Sequence, residues 1–164
     1  MGWLARLFGA ASREELRGLH LDESVAPWAV DGPRDFSTLL RALEPWLAPE
    51  SVLYFEGGYL DAELASFLAG ASIPEQVHLA LGTIWPRPRA FHVPAGPAIV
   101  KLADLMEHHP NLELAVHFHV YRKGVVLLQW HDAFDGPMLL AGSMPEAEVK
   151  TLAETLRTSY RRGR

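Results

Sequence analysis

At 164 residues the chain is long enough for one domain with a real core and too short for two comfortable ones. Hydrophobic residues make up 49% and charged residues 21%, which excludes a disordered chain, and the absence of cysteine excludes disulfides, thiolate metal sites and a cysteine nucleophile. The net charge of -5 hides an acidic body and a basic end, where Arg157, Arg161, Arg162 and Arg164 gather.

Four arginines at the end of an expected helix complement its dipole. With no interleaved aromatic platform beside them, and an acidic body behind them, nucleic acid is not expected as a partner. No run approaches the roughly 20 apolar residues that a membrane helix needs, so no integral membrane segment is expected. Lack of cysteine fits a reducing compartment, and the expected location is cytoplasmic.

Residues 1–34 read as an N-terminal helix and connector. Trp3, Leu4, Leu7 and Phe8 recur as one helical stripe, while Arg6 interrupts what a signal peptide would need to keep apolar. Pro27-Trp28 and Asp31-Gly32-Pro33 force turns, with Trp28 and Val30 expected to be tacked onto the core. Residues 35–164 read as a single globular α+β domain.

In that domain a helix begins near Asp35, with Leu39, Leu40 and Leu43 inward, and ends before Pro45. Val52, Leu53, Tyr54 and Phe55 are four consecutive apolar residues, as in a strand buried on both faces. Gly57-Gly58 turns the chain into a helix over about 59–69, with Leu60, Leu64, Phe67 and Leu68 inward. A second buried strand over 77–84 would complete a parallel, right-handed βαβ unit. Residues 90–93 suit a short edge strand, and Gly96-Pro97 opens a helix to about His109 with Ile99, Leu102, Ala103 and Met106 inward.

The stretch from Glu113 to Asp132 has the form of a β-hairpin. A three-residue loop, Arg122-Lys123-Gly124, would pair Tyr121 with Val125 and Val116 with Trp130. One face then carries Val116, Phe118, Val120, Val126, Leu128 and Trp130, and the other carries His117, His119, Tyr121, Val125, Leu127, Gln129 and His131. A short strand at 138–141 follows. Ser143 and Glu146 fit a capping box for a last helix to about Tyr160, with Val149, Leu152, Ala153 and Leu156 on one side.

The sum is an α+β fold with a mixed sheet of five or six strands, a parallel βαβ start and an antiparallel meander end, and helices packed mainly on one face. The histidine face of the hairpin would then be open or half covered.

His117 and His119 point the same way from one strand, and His131 stands on its neighbour, so three neutral imidazoles could converge on zinc, with Asp132 or Asp135 beside them. A His-x-His strand with a third histidine next door is similar to the local ligand arrangement of α-class carbonic anhydrases, a likeness that covers those three residues. His108 and His109 suit the dipole at a helix end. Ser51, Ser66, Ser72 and Ser143 lie in no nucleophile-elbow pattern, and the Gly57-Gly58 turn lacks phosphate-loop spacing.

With no recognisable catalytic motif, the expected function is non-catalytic: a binding or protein-interaction protein using Trp3, Phe8, Tyr121 and Gln129 against a protein partner or its own copy, with no cofactor. The alternative is a small zinc-dependent hydrolase or lyase with His117, His119 and His131 as ligands and Asp132 or Glu56 as base.

Overall fold

The computed structural model describes residues 20–74 and 89–163. The stripe of Trp3 and Phe8, and the strand expected at 77–84, lie outside these residues. In chain order the described elements are β1 (Trp28–Val30), α1 (Phe36–Leu43), a 3-10 turn (Glu44–Trp46), β2 (Ser51–Gly57) and α2 (Ala62–Ala71). Then come β3 (Ala90–Pro94), α3 (Pro97–Met106), α4 (Asn111–Leu114), β4 (Ala115–Arg122), β5 (Val125–Trp130), β6 (Met138–Leu140), α5 (Glu146–Leu156) and β7 (Tyr160–Arg162).

The fold is α+β: among the described residues, seven strands form one open sheet in the order β3-β2-β4-β5-β6-β1-β7, and every pairing is antiparallel. This corrects the expected parallel start and the count of five or six strands. The apolar run of β2 does mean burial on both faces, but both of its hydrogen-bonding edges are taken by antiparallel neighbours, β3 and β4. A continuous apolar run reports burial, not strand direction.

The extra strands come from stretches too short to carry a period. Trp28 and Val30 do not merely touch the core; they lie in a three-residue strand between β6 and β7. Trp28 donates its indole N–H to the Met144 carbonyl at 3.1 Å and lies under the Arg162 guanidinium at 4.3 Å. The last helix stops at Leu156, where Arg157 takes the left-handed conformation that ends a helix, and the chain returns as β7. Arg157 thus sits at the helix end, whereas Arg161 and Arg162 lie in an edge strand, where Arg161 pairs with Asp31 at 3.2 Å. Nor does the capping box form: Pro145 is the N-cap of α5, without a side-chain cap.

One face of the sheet carries the main core. Leu53, Phe55, Phe118, Val120, Leu128, Trp130 and Leu140 pack there against inward residues of all five described helices, including Leu39, Leu64, Leu102, Leu114 and Leu152. Phe36 stands edge-on to Phe118, Trp130 and Phe134, at centroid distances of 5.8, 6.0 and 5.1 Å. Fully burying each such side chain contributes about 1.5–3 kcal/mol.

The hairpin that carries the histidines is built differently from the expected three-residue loop. Lys123 and Gly124 alone form the turn, with φ of 50° and 80°, and Arg122 pairs with Val125. Positive φ at both turn residues matches the right-handed strand twist, and a glycine at the second meets it without cost. A bulge between Val120 and Tyr121 then shifts the pairing, so Val120 faces Leu128 and Phe118 faces Trp130. Phe118, Val120, Leu128 and Trp130 accordingly share the core face, while Val126 crosses to the other face beside Tyr121.

Candidate functional site

The second face of the sheet is where ionisable side chains accumulate. Tyr54 lies opposite His92 on β3 and His119 on β4, and His119 lies opposite Gln129, so one row crosses four strands as His92, Tyr54, His119 and Gln129. In the next row Glu56 is opposite His117. The Tyr54 hydroxyl donates to the Glu56 carboxylate, and His92 Nδ1 and the Tyr121 hydroxyl are hydrogen bonded at 3.0 Å.

This face is less open than the sequence suggests. Leu21 packs with Val52, Tyr54, Tyr121, Val126 and Ala141 in a small second core. Tyr121 is buried there, and Gln129 is half-buried, its Oε1 accepting from the Leu21 amide at 3.5 Å.

The three expected ligand histidines are brought together. The His131 ring stands edge-on to His117 and His119, at centroid distances of 5.3 and 5.0 Å. Position follows from β4, which presents His117 and His119, and from the tight turn after β5. In that turn Asp132 and Phe134 have positive φ, and the Ala133 amide donates to the Val116 carbonyl at 2.8 Å.

His119 is 2% exposed, and its Nε2 has no hydrogen-bond partner. Burial, followed by repulsion from His131 and His117, holds its pKa well below the ordinary value. Burial and His117 also lower that of His131, against a smaller opposing pull from Asp132. His119 and His131 are therefore held toward neutral rings.

Neutrality suits metal binding, but two features oppose a shared ion. The Asp132 amide donates to His117 Nδ1 at 3.2 Å, which leaves the proton of neutral His117 on Nε2, so that nitrogen offers a donor instead of a lone pair. Nor do the three rings form a group whose ligand atoms all lie within 4.8 Å of one another. Among the described residues that condition is met by Asp61, Glu63 and His109. Asp132 itself is exposed, its carboxylate 3.9 Å from His117.

Asp61, Glu63 and His109 belong to a second locality, which the sequence did not bring together: it offered Asp61 as a possible partner of Glu56 and His109 as a helix-end residue. Asp61 ends the turn after β2 by capping α2, accepting from the Leu64 amide at 2.8 Å. The helix therefore starts three residues later than expected, and Tyr59 is left outside it, 77% exposed.

The turn is clamped from below. The Tyr59 amide donates to the Leu112 carbonyl at 3.0 Å, and a Cβ at Gly58 would collide with the carbonyl oxygens of Glu113 and Leu114. Leu112 is itself 55% exposed. An exposed aromatic and an exposed leucine are thus fixed on adjoining backbones.

Carboxylates close to the pair in the chain converge on His109. His109 Nδ1 lies 2.8 Å from Glu113 and 3.8 Å from Asp61, and its Nε2 lies 3.6 Å from Glu63. The hydrogen bond to Glu113, then the fields of Asp61 and Glu113 and finally Glu63, raise the His109 pKa against a contrary effect of burial. An Asp at an N-cap three residues before Leu64 is the sequence signal that could have exposed Tyr59.

No family model, no curated protein and no solved structure matches the chain. Among the described residues, no helix is long and apolar enough to cross a membrane.

Proposed function

We propose that the protein is a non-catalytic interaction protein that receives a partner polypeptide on the patch formed by Tyr59 and Leu112. The observation that carries this reading is Tyr59, an aromatic side chain left in water while its backbone is held by the Leu112 carbonyl and by the close fit at Gly58. An exposed tyrosine on a fixed backbone loses little conformational freedom on binding and presents large contact area, the properties of an interface anchor. The expected contribution of Tyr121 and Gln129 to binding then becomes indirect, through the packing of Leu21 on the second face.

Selection from a random dodecapeptide library on the full chain tests this. Enriched peptides should bind the wild type and lose at least tenfold in affinity on Tyr59→Ala, a surface change expected to leave the fold intact. Peptides that bind Tyr59→Ala as well as wild type, or no enrichment at all, refute it.

The unpaired Nε2 of buried His119 favours a second reading, a zinc-dependent hydrolase or lyase, in which His117 gives up its bond from Asp132 to join the other two histidines. Zinc bound at one equivalent by purified protein, and lost in His119→Leu that still unfolds cooperatively, supports it. Protein that takes up no zinc removes it.

A further inference from the structure

The patch has a charge as well as a shape, and the charge names the partner. Three carboxylates, Asp61, Glu63 and Glu113, converge on the single imidazole of His109. Among the described residues, even a fully protonated His109 leaves two of these three negative charges without an ion-pair partner, close in the chain to Tyr59 and Leu112. The nearest cation on α1, Arg41, is committed elsewhere, bonded to Asp104 at 2.7 Å and to Glu107 at 2.5 Å. Asp35 lines the same depression as His109, together with Arg41 and its partner Glu107.

Resting on the interaction reading above, we propose that the partner segment is basic: an apolar side chain lies on Tyr59 and Leu112 while a neighbouring lysine or arginine faces Asp61, Glu63 and Glu113. An interface of this kind sets its partner by charge complementarity at the rim and takes its affinity from the aromatic centre.

His109 then tunes the site. It is the internal cation against which a partner's cation competes, facing Asp61 and Glu63 at the start of α2 and Glu113 on α4, with His108 next to it in the chain. Because the carboxylates hold its proton above the ordinary histidine range, the rim is least negative in mild acid and gains a full charge as pH rises through that titration. Affinity for a basic segment should rise over the same interval. The effect should fade at high salt, because the groups are near the surface.

The dodecapeptides selected on the wild-type chain give the test. The enriched sequences should carry lysine or arginine within two positions of a leucine or an aromatic. One of them, fluorescein-labelled and measured by anisotropy, should bind Glu63→Gln/Glu113→Gln roughly 3- to 10-fold more weakly, as expected for two partly screened ion pairs. Its affinity should be higher at pH 8 than at pH 6, and this difference should disappear in His109→Gln.

Enrichment of uncharged or acidic peptides, or equal binding by the double glutamine variant, overturns the inference. In that case a loss on Tyr59→Ala still stands for the patch. Insensitivity to Tyr59→Ala overturns both.

Discussion

His119→Leu tests the account of the buried histidine cluster most directly. His119 is held neutral in the folded protein, whereas in the unfolded chain it titrates near 6.5. Its folded pKa is depressed, so below pH 6.5 the unfolded state takes up a proton that the native state refuses. Stability is fully retained above that range and lost as pH falls through it. One proton of difference gives a slope approaching about 1.4 kcal/mol per pH unit. If the ring stays neutral throughout, the integrated loss by pH 5 has a ceiling of roughly 2 kcal/mol, or about 4–8 °C in Tm for a chain of this size.

Leucine removes both the titration and the unpaired Nε2, whose burial itself costs about 1–3 kcal/mol. Lost contacts to Tyr54 and His131, whose rings lie 5.6 and 5.0 Å away, act in the other direction. The informative quantity is therefore the pH dependence of the difference. Urea unfolding of wild type and His119→Leu between pH 7.5 and pH 5 should show the variant gaining up to roughly 2 kcal/mol on the wild type as the pH falls. Parallel curves across that interval would refute a neutral, buried His119.

His109 should behave in the opposite sense. Its folded pKa is raised by Glu113, Asp61 and Glu63, so its stabilisation is complete below pH 6.5 and is lost as pH rises through the folded value; His109→Gln should flatten the decline in Tm over that interval. Gly58→Ala should destabilise by about 1–3 kcal/mol in urea, because its Cβ meets backbone that cannot swing away, while Gly136→Ala, with open space around it, should stay within about 0.5 kcal/mol. Tyr59→Ala should leave Tm within about 2 °C of wild type, since the side chain is exposed, even though it removes binding.

Which parts of this structure were legible in the sequence follows from where period and burial coincide. Leu39, Leu40 and Leu43 of α1, and Ile99, Leu102, Ala103 and Met106 of α3, sit inward where a helical stripe puts them. One-sided helix packing follows from the same stripes. Strand direction was not legible, because the apolar run of β2 looks the same whichever way its neighbours point. β1 and β7 were hidden because three residues cannot display alternation, and because Arg161 and Arg162 suit a solvated helix end as well as an edge strand.

The hairpin shows how a wrong register can still sort most residues correctly. A two-residue turn moves the pairing by one residue, and the bulge between Val120 and Tyr121 moves it by one more, which restores the original alternation for Phe118, Val120, Leu128 and Trp130. The residues between turn and bulge change sides: Val126 joins Tyr121, Val125 pairs with Arg122 instead of Tyr121, and Leu127 packs against the main core.

Patterning thus gathers His117, His119 and His131 on one face, but their chemistry turns on two details that no spacing contains. One is the backbone N–H of Asp132, aimed at His117 by a residue with positive φ; the other is the Leu21 segment laid over Gln129. The first commits the lone pair a metal would need, and the second closes one end of the face. By contrast, Tyr59 gains its exposure from a helix that starts late, at an aspartate whose side chain caps it. The exposed, charge-rimmed patch is therefore a consequence of capping, a local rule of helix chemistry, whereas the histidine cluster is a consequence of sheet register.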